Sequence, residues 1–402
     1  MMMRSIRRAA IVLGAGMALA LSGSGTAMAG PPDRNGAPDA VVAGYYPAWS
    51  GVPVSDLPAD RLTDILYSFA KIDDSGRCVL PHGDRDEKKL AALGELKEQH
   101  PQLRVEISIG GWGATGFSDA ALTHKSRQRL VDSCIDLFFG KYGDVVDGID
   151  LDWEFPVSGG PPELTYRPED RRNFTLLARE FRHALDAVAR ERGEDTILAA
   201  AIPAGRLQSA GPYDPNESFE LRKLGHVLDF VNLMTYNLSN GFSTVAGFNA
   251  PMRPDPADPT PPVIKRWNSV VTAVEYFERH GVPADKIVLG QPYFAEAFKV
   301  TSTDNDGLYQ PVVKRTGAPS WTTIKTKLRG DPAWSQHWSS RAAAPWLFNE
   351  ETKTFVTYEN PRSISVRAWY AKGHNLRGVF TWALGQDDAQ HSLFNAMSAP
   401  YS

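Results

Sequence analysis

Residues 147–154 read Asp-Gly-Ile-Asp-Leu-Asp-Trp-Glu, and their spacing implies proton-transfer chemistry. Asp150, Asp152 and Glu154 are two residues apart, so on an extended strand all three carboxylates leave from one face. Ile149, Leu151 and Trp153 alternate with them and are apolar, as a strand buried on both faces requires. At about 4 Å and an effective dielectric near 20, each pair of full charges costs roughly 4 kcal/mol, about three pK units. The three groups therefore cannot all ionise at neutral pH. One of them holds a proton, which is what an acid catalyst needs. Clustered acids also bind hard cations, but cation loops set their carboxylates on turns rich in Gly, Asn and Ser. The nine histidines are scattered without paired ligand spacing, so neither a metal site nor a cofactor is predicted.

The elements that must carry this strand are legible as an alternation. Apolar runs rich in Val, Ile and Phe predict strands at Val41–Trp49, Leu62–Ile72, Leu103–Gly111, Val145–Phe155, Thr196–Pro203, Val227–Asn237, Lys286–Phe294 and Leu376–Leu384. Between them, Arg167–Arg192 places Phe174, Leu177, Phe181, Leu185 and Val188 at three- and four-residue intervals, a helix stripe. Asp86–His100, Asp119–Lys141, Ser269–His280 and Ser363–His374 behave similarly, whereas Asn237 to Asn268 is Pro-rich and loop-like. Strand and helix in eightfold alternation predict an α/β fold, a closed parallel (β/α)8 TIM barrel over 41–294 and 362–402. Residues 295–361, with Trp321, Trp334, Trp338 and Trp346, interrupt the rhythm before the eighth strand and predict an inserted α+β subdomain.

The predicted strands end in aromatic and polar groups. They carry Tyr45 and Trp49, Phe69, Trp112, the three acids, Met234 with Tyr236 and Asn237, and Trp382. In a parallel barrel these ends form the catalytic mouth. Flat apolar faces beside carboxylates suit a sugar, whose C–H groups stack while its hydroxyls are held by polar atoms. The formal charge of −4, more negative once three leader arginines are removed, leaves no basic footprint for nucleic acid. Residues 1–29 predict a signal peptide, with a basic start, an apolar core and Ala27-Met28-Ala29 as cleavage site. That apolar core is too short for a membrane span. A flexible lead over 30–40 follows, so the protein is expected to be secreted, extracellular and monomeric. Cys78 and Cys134 either bridge or stay as two buried thiols.

Several motifs in order resemble glycoside hydrolase family 18, over nearly all of Val41 to Asp388. They are Ser108-Ile109-Gly110-Gly111-Trp112, the acidic octapeptide, Met234-Thr235-Tyr236, Gly247-Phe248-Asn249-Ala250-Pro251-Met252, Lys286-Ile287-Val288-Leu289-Gly290 and Gly378-Val379-Phe380-Thr381-Trp382. The resemblance implies a bacterial-type chitinase cleaving β-1,4-N-acetylglucosamine polymers or chitooligosaccharides with retention, by substrate assistance. It implies Glu154 as general acid/base and Asp152 on the substrate's acetamido N–H. Asp150 would lie beneath, sharing a proton, and Tyr236 would donate to the acetamido oxygen. Trp382 would form the floor of the cleft, with Trp112, Tyr45, Phe69, Met234 and Asn237 as further cleft candidates. An endo-β-N-acetylglucosaminidase acting on N-glycan cores needs the same chemistry, and a non-catalytic lectin-like relative would usually lack the glutamate. Two departures stand out. Asn237 occupies a position where the family often has Asp, which predicts an acid that ionises more easily and an activity optimum at lower pH. Glu296 stands where Pro-x-Tyr-Gly-Arg would place an arginine.

Overall fold

The computed structural model describes residues 40–208 and 211–402. The predicted leader 1–29 and nearly all of the lead 30–40 lie outside the described residues. Eight strands, β1 (Val41–Pro47), β2 (Asp64–Ile72), β3 (Arg104–Gly110), β4 (Gly148–Asp152), β5 (Ile197–Pro203), β6 (Phe230–Met234), β7 (Ile287–Pro292) and, after the insertion, Gly378–Trp382, pair in parallel all the way round. The ring closes because β1 pairs with both β2 and Gly378–Trp382, giving the predicted (β/α)8 barrel.

Most of these strands are shorter than their apolar runs. Around β6 the apolar run continues through Thr235 and Tyr236, but the ladder ends at Met234, and Asn237 takes a left-handed backbone (φ 56°) beyond it. The acidic strand stops at Asp152, so Glu154 sits two residues past its end, in the loop. The stripe on helix α3 forms as predicted, over Asp170–Arg192, with Phe174, Leu177, Phe181 and Leu185 fully buried against the barrel. Helices α1 (Asp84–Gln99), α4 (Val270–Arg279) and α5 (Pro361–Gly373) also lie where periodicity predicts them. The predicted helix Asp119–Lys141 is instead broken. A first turn, Phe117–Leu122, ends at Thr123, which caps α2 (His124–Ile135) by accepting from Ser126 N–H at 3.1 Å. The Pro-rich connection after β6 also holds a short helix, Pro262–Trp267.

The insertion is built on an antiparallel sheet. Its strands β8 (Glu296–Val300), β9 (Val312–Gly317), β10 (Ser335–Ser339), β11 (Ala344–Asn349) and β12 (Thr354–Thr357) lie in the order β9-β8-β12-β11-β10. A helical stretch spans Trp321–Leu328. Phe298, Trp346, Phe348 and Phe355 from this sheet pack with Ala246 and Phe248, from the loop after β6, in one apolar cluster. The insertion therefore rests on a loop of the barrel mouth. Cys78, in a short strand hairpinned to β2, is disulfide-bonded to Cys134 on α2, with Cα atoms 5.0 Å apart. That settles the two alternatives left open for the cysteines.

Candidate active site

The register of β3 against β4 sets Ser108 beside Asp150 and Gly110 beside Asp152. Ser108 Oγ donates to Asp150 Oδ2 at 2.6 Å, Tyr45 OH to the same oxygen at 2.9 Å, and Asn232 Nδ2 to Oδ1 at 3.2 Å. Burial pushes the Asp150 carboxyl up to about 6, and those three donors oppose the shift. Asp150 is thus a carboxylate anchored by neutral donors from β1, β3 and β6. Asp152, 3% exposed, has one oxygen, Oδ1, without a hydrogen-bond partner. Burial first, then the negative charges of Glu154 and Asp150, raise it well above the carboxylate range, with Lys71 opposing. Glu154 is partly open to the cleft, and burial lifts it to about 7, again against Lys71. Asp152 and Glu154 titrate as a pair, so between them they keep a proton near neutrality.

Tyr236, just past β6, is 6% exposed. Its ring meets Phe294 and Phe380 edge-on at 5.8 and 6.1 Å. Gly290 makes room for it, since a Cβ there would lie 2.8 Å from Tyr236 Cε1. Burial and the three acids push the phenol well above its ordinary value, so the hydroxyl stays a donor.

The acids open into a cleft of two lobes that share Glu154, Tyr236 and Met234. One lobe, of about 450 Å³, contains Asp152 and Trp382. Trp382 stacks on Phe69 (5.6 Å, 15°), and Trp49 leans on both at 6.1 and 6.3 Å, forming a continuous aromatic floor. The other lobe, of about 390 Å³, is bounded by Pro203, Asn240, Gly241 and Phe242. At its rim Trp112 stacks on Phe242 at 6.1 Å, both about half exposed.

All ten residues singled out in the sequence gather here, but not in one layer. Glu154, Asp152, Tyr236, Met234, Asn237, Trp112, Trp382 and Phe69 border the cleft. Tyr45 touches the cleft but is 2% exposed, and its hydroxyl is committed to Asp150. Asp150 lies beneath, fully buried. Asn237 N–H donates to Asn249 Oδ1 at 2.7 Å, while its own Oδ1 is buried without a partner. Sequence reasoning marked Glu296 only as a departure from the family pattern and missed Lys71 and Arg315, all three on the cleft wall, and Asn232 beneath Asp150. It also missed Phe242, whose only signal was an apolar residue in a polar loop. Asp147, on the opposite phase of the acidic run, sits at the other end of the strand, paired with Lys97 at 2.7 Å. Among the described residues, no group of three or more His, Cys, Asp or Glu has metal-holding geometry.

A parallel barrel with a proton-holding acid at its C-terminal mouth, set in an aromatic-floored cleft, defines the class: a carbohydrate-cleaving enzyme. The model of glycosyl hydrolases family 18 matches residues 41–387, and the chain belongs to that family. Chitinase A1 of Niallia circulans is 29% identical over 416 residues, covering 89% of this chain, which spans 58% of that protein's length. Chitotriosidase-1 of Mus musculus is 29% identical over 354 residues, covering 86% of this chain and 71% of its own. Among solved structures, a family-18 N-acetylglucosaminidase from Paenibacillus barengoltzii is 32% identical with a TM-score of 0.78, covering 90% of this chain and 99% of its own. Chitinase ChiW from Paenibacillus sp. str. FPU-7 has the same identity and TM-score, with 90% of this chain matching 32% of that one.

Proposed function

We propose that the protein is an exported family-18 chitinase that hydrolyses β-1,4 links between N-acetylglucosamine units with retention, using the substrate's own acetamido group as nucleophile. The carrying observation is the pairing of one proton-holding acid, Glu154, with a neighbouring buried carboxyl, Asp152, whose Oδ1 lacks a partner. A two-carboxylate retaining mechanism needs a free second carboxylate in the cleft. Besides Asp152, which borders the larger lobe, the carboxylate that lines the cleft with Glu154 is Glu296, and Arg315 holds it bidentately at 2.6 and 3.0 Å. The nucleophile then has to come from the substrate.

In this reading the sugar that carries the reacting acetamido group lies in the lobe with Asp152 and Trp382, its ring on the aromatic floor. Asp152 accepts from the acetamido N–H, Asp150 fixes Asp152 from beneath, and Tyr236 donates to the acetamido oxygen. Glu154 gives its proton to the glycosidic oxygen as the acetamido oxygen bonds to C1 and the C1–O bond breaks. Water then attacks C1 of the oxazolinium, giving up a proton to the Glu154 carboxylate as the bond from C1 to the acetamido oxygen breaks and the acetamido group is restored. Holding the internal nucleophile in line supplies an effective molarity on the order of 10⁵ M or more. The Cys78–Cys134 bridge supports an oxidising destination and hence export.

Proton NMR of the first product anomer tests the mechanism: the β-anomer is expected, and an inverted product sinks it. Mass spectrometry of products from colloidal chitin and from a high-mannose glycopeptide separates chitinase from endo-β-N-acetylglucosaminidase. The same spectra test a second reading, release of single N-acetylglucosamine units. That reading is favoured by the N-acetylglucosaminidase of Paenibacillus barengoltzii, which this chain spans almost completely.

A further inference from the structure

The inserted sheet brings a cation to the cleft from a position the seventh-strand motif does not occupy. Glu296 begins β8 and is 4% exposed, yet it borders both lobes beside Glu154. Its two oxygens take Arg315 Nε at 2.6 Å and Arg315 Nη2 at 3.0 Å. The fork is asymmetric: the Glu296 side chain is 5% exposed and that of Arg315 is 43% exposed. The carboxylate is therefore the anchor, and the guanidinium is what the anchor presents. A bidentate pair through Nε and Nη2 leaves both N–H groups of Nη1 outside the pair.

Arg315 borders both lobes, and two features hold it beside the smaller one. The β8–β9 ladder slips register between Ala297 and Phe298, opposite Gly317 and Arg315, and such irregularities re-aim side chains. The arginine stem also lies over Gly241 of the loop after β6. A Cβ at Gly241 would stand 2.9 Å from Arg315 Cδ, so a side chain there would push the arginine off the lobe. Arg315 thus bridges the insertion to the loop that bounds this lobe.

We infer that Arg315 reads the leaving-group sugar, donating through Nη1 to a hydroxyl or acetamido oxygen on the unit released first, with Glu296 as its positioning residue. This rests on the chitinase reading. The lobe holding Asp152 and Trp382 receives the sugar that supplies the nucleophile, so the lobe bounded by Gly241 and Phe242 receives the leaving group. A guanidinium held rigidly by a buried carboxylate loses little freedom on binding, which favours its use in recognition.

The test compares two substrates cleaved by the same acid. Chitohexaose places a sugar on the leaving-group side, and 4-methylumbelliferyl β-chitobioside places a flat phenol there. Arg315→Met should lower kcat/KM for chitohexaose about tenfold, the scale of one lost hydrogen bond, mainly through KM. The aryl substrate should change less than about twofold. Glu296→Gln should give a smaller loss on chitohexaose alone, and Arg315→Lys should recover part of it. Thermal unfolding midpoints close to wild type would show that each variant is folded. Equal losses on both substrates, or none on either, would overturn the inference and leave the pair a structural tie. A wild-type enzyme that cleaves neither substrate would overturn the chitinase reading itself, and the inference with it.

Discussion

A carboxyl group can donate a proton near neutrality only if its surroundings resist the charge left behind. For Glu154 burial does this, and the groups facing it are Lys71 at the end of β2, Asp152 on β4, Tyr236 past β6 and Tyr213. Glu154→Gln should cut kcat by at least about 10²–10⁴ while leaving oligosaccharide binding nearly intact, measured by steady-state kinetics and calorimetry. Lys71 is the one cation among these groups, and its ammonium favours the carboxylate form. Removing it raises the pKa of the acid, so Lys71→Met should shift the basic limb of the kcat/KM profile to higher pH. Asn237→Asp, which adds a negative charge at the cleft, should move that limb the same way. A limb that stays put in both variants would refute this account of the acid. Lys71 was not legible in the sequence for a definable reason. Strand alternation puts Asp64, Leu66 and Ser68 on the inner face, but the register against β3 shifts between Ser68 and Ala70. After that shift Phe69 and Lys71, on the phase that alternation assigns outward, border the cleft. Asp150, Asp152 and Glu154 were legible because β4 carries no such slip.

Elements were easier to read than their ends. Eight apolar runs separated by helical stripes leave few arrangements that bury every strand on both faces, and the closed barrel is one of them. The ends failed where a single residue outvoted the pattern, as Thr123 did by capping a new helix and Thr235 by turning its N–H back to Leu233 O. The contacts that dock the insertion on the barrel were not legible, because they join it to the loop after β6, more than a hundred residues away in sequence. Arg367, fully buried on α5, donates from Nη1 to Glu359 Oε2 at 2.6 Å and to Ser363 O at 2.9 Å, and from Nη2 to Ala250 O. One guanidinium thus ties the end of the inserted sheet, α5 and the loop after β6 together. Burial raises Glu359 to about 7 even with this partner. Arg367→Met removes the partner and strands a buried carboxyl. It should cost about 3–5 kcal/mol by chemical denaturation, far more than loss of an exposed pair such as Lys141–Glu87. A loss under about 1 kcal/mol would mean the insertion docks by its apolar cluster alone.

At the scale of the whole molecule, the groups that make the chemistry possible also set where the fold is most stable. Asp150 is held near 6, and Glu154 and Glu359 near 7, all above their ordinary values. A carboxyl raised in the folded state binds its proton more tightly there than in the unfolded chain. Its stabilisation is complete below about pH 4 and is lost as pH rises through 6 to 7. For Asp150, fully buried, a rise from 3.8 to about 6 corresponds to on the order of 3 kcal/mol. Asp388, lowered to about 2 by Lys325, Ser392 and Trp321 against the effect of burial, works in the opposite window. Its contribution is present above about pH 4 and disappears as pH falls toward 2. The two windows meet near pH 4, so the unfolding temperature should peak close to pH 4 and drop by a few degrees at pH 8. Glu154→Gln supplies the control, because glutamine does not titrate. That variant should lose part of the decline between pH 5 and pH 8 while keeping the acid-side fall that Asp388 controls. An unfolding temperature that declines identically in wild type and variant would show that Glu154 ionises in the fold as it does in water, and a group of that kind could not hold the catalytic proton.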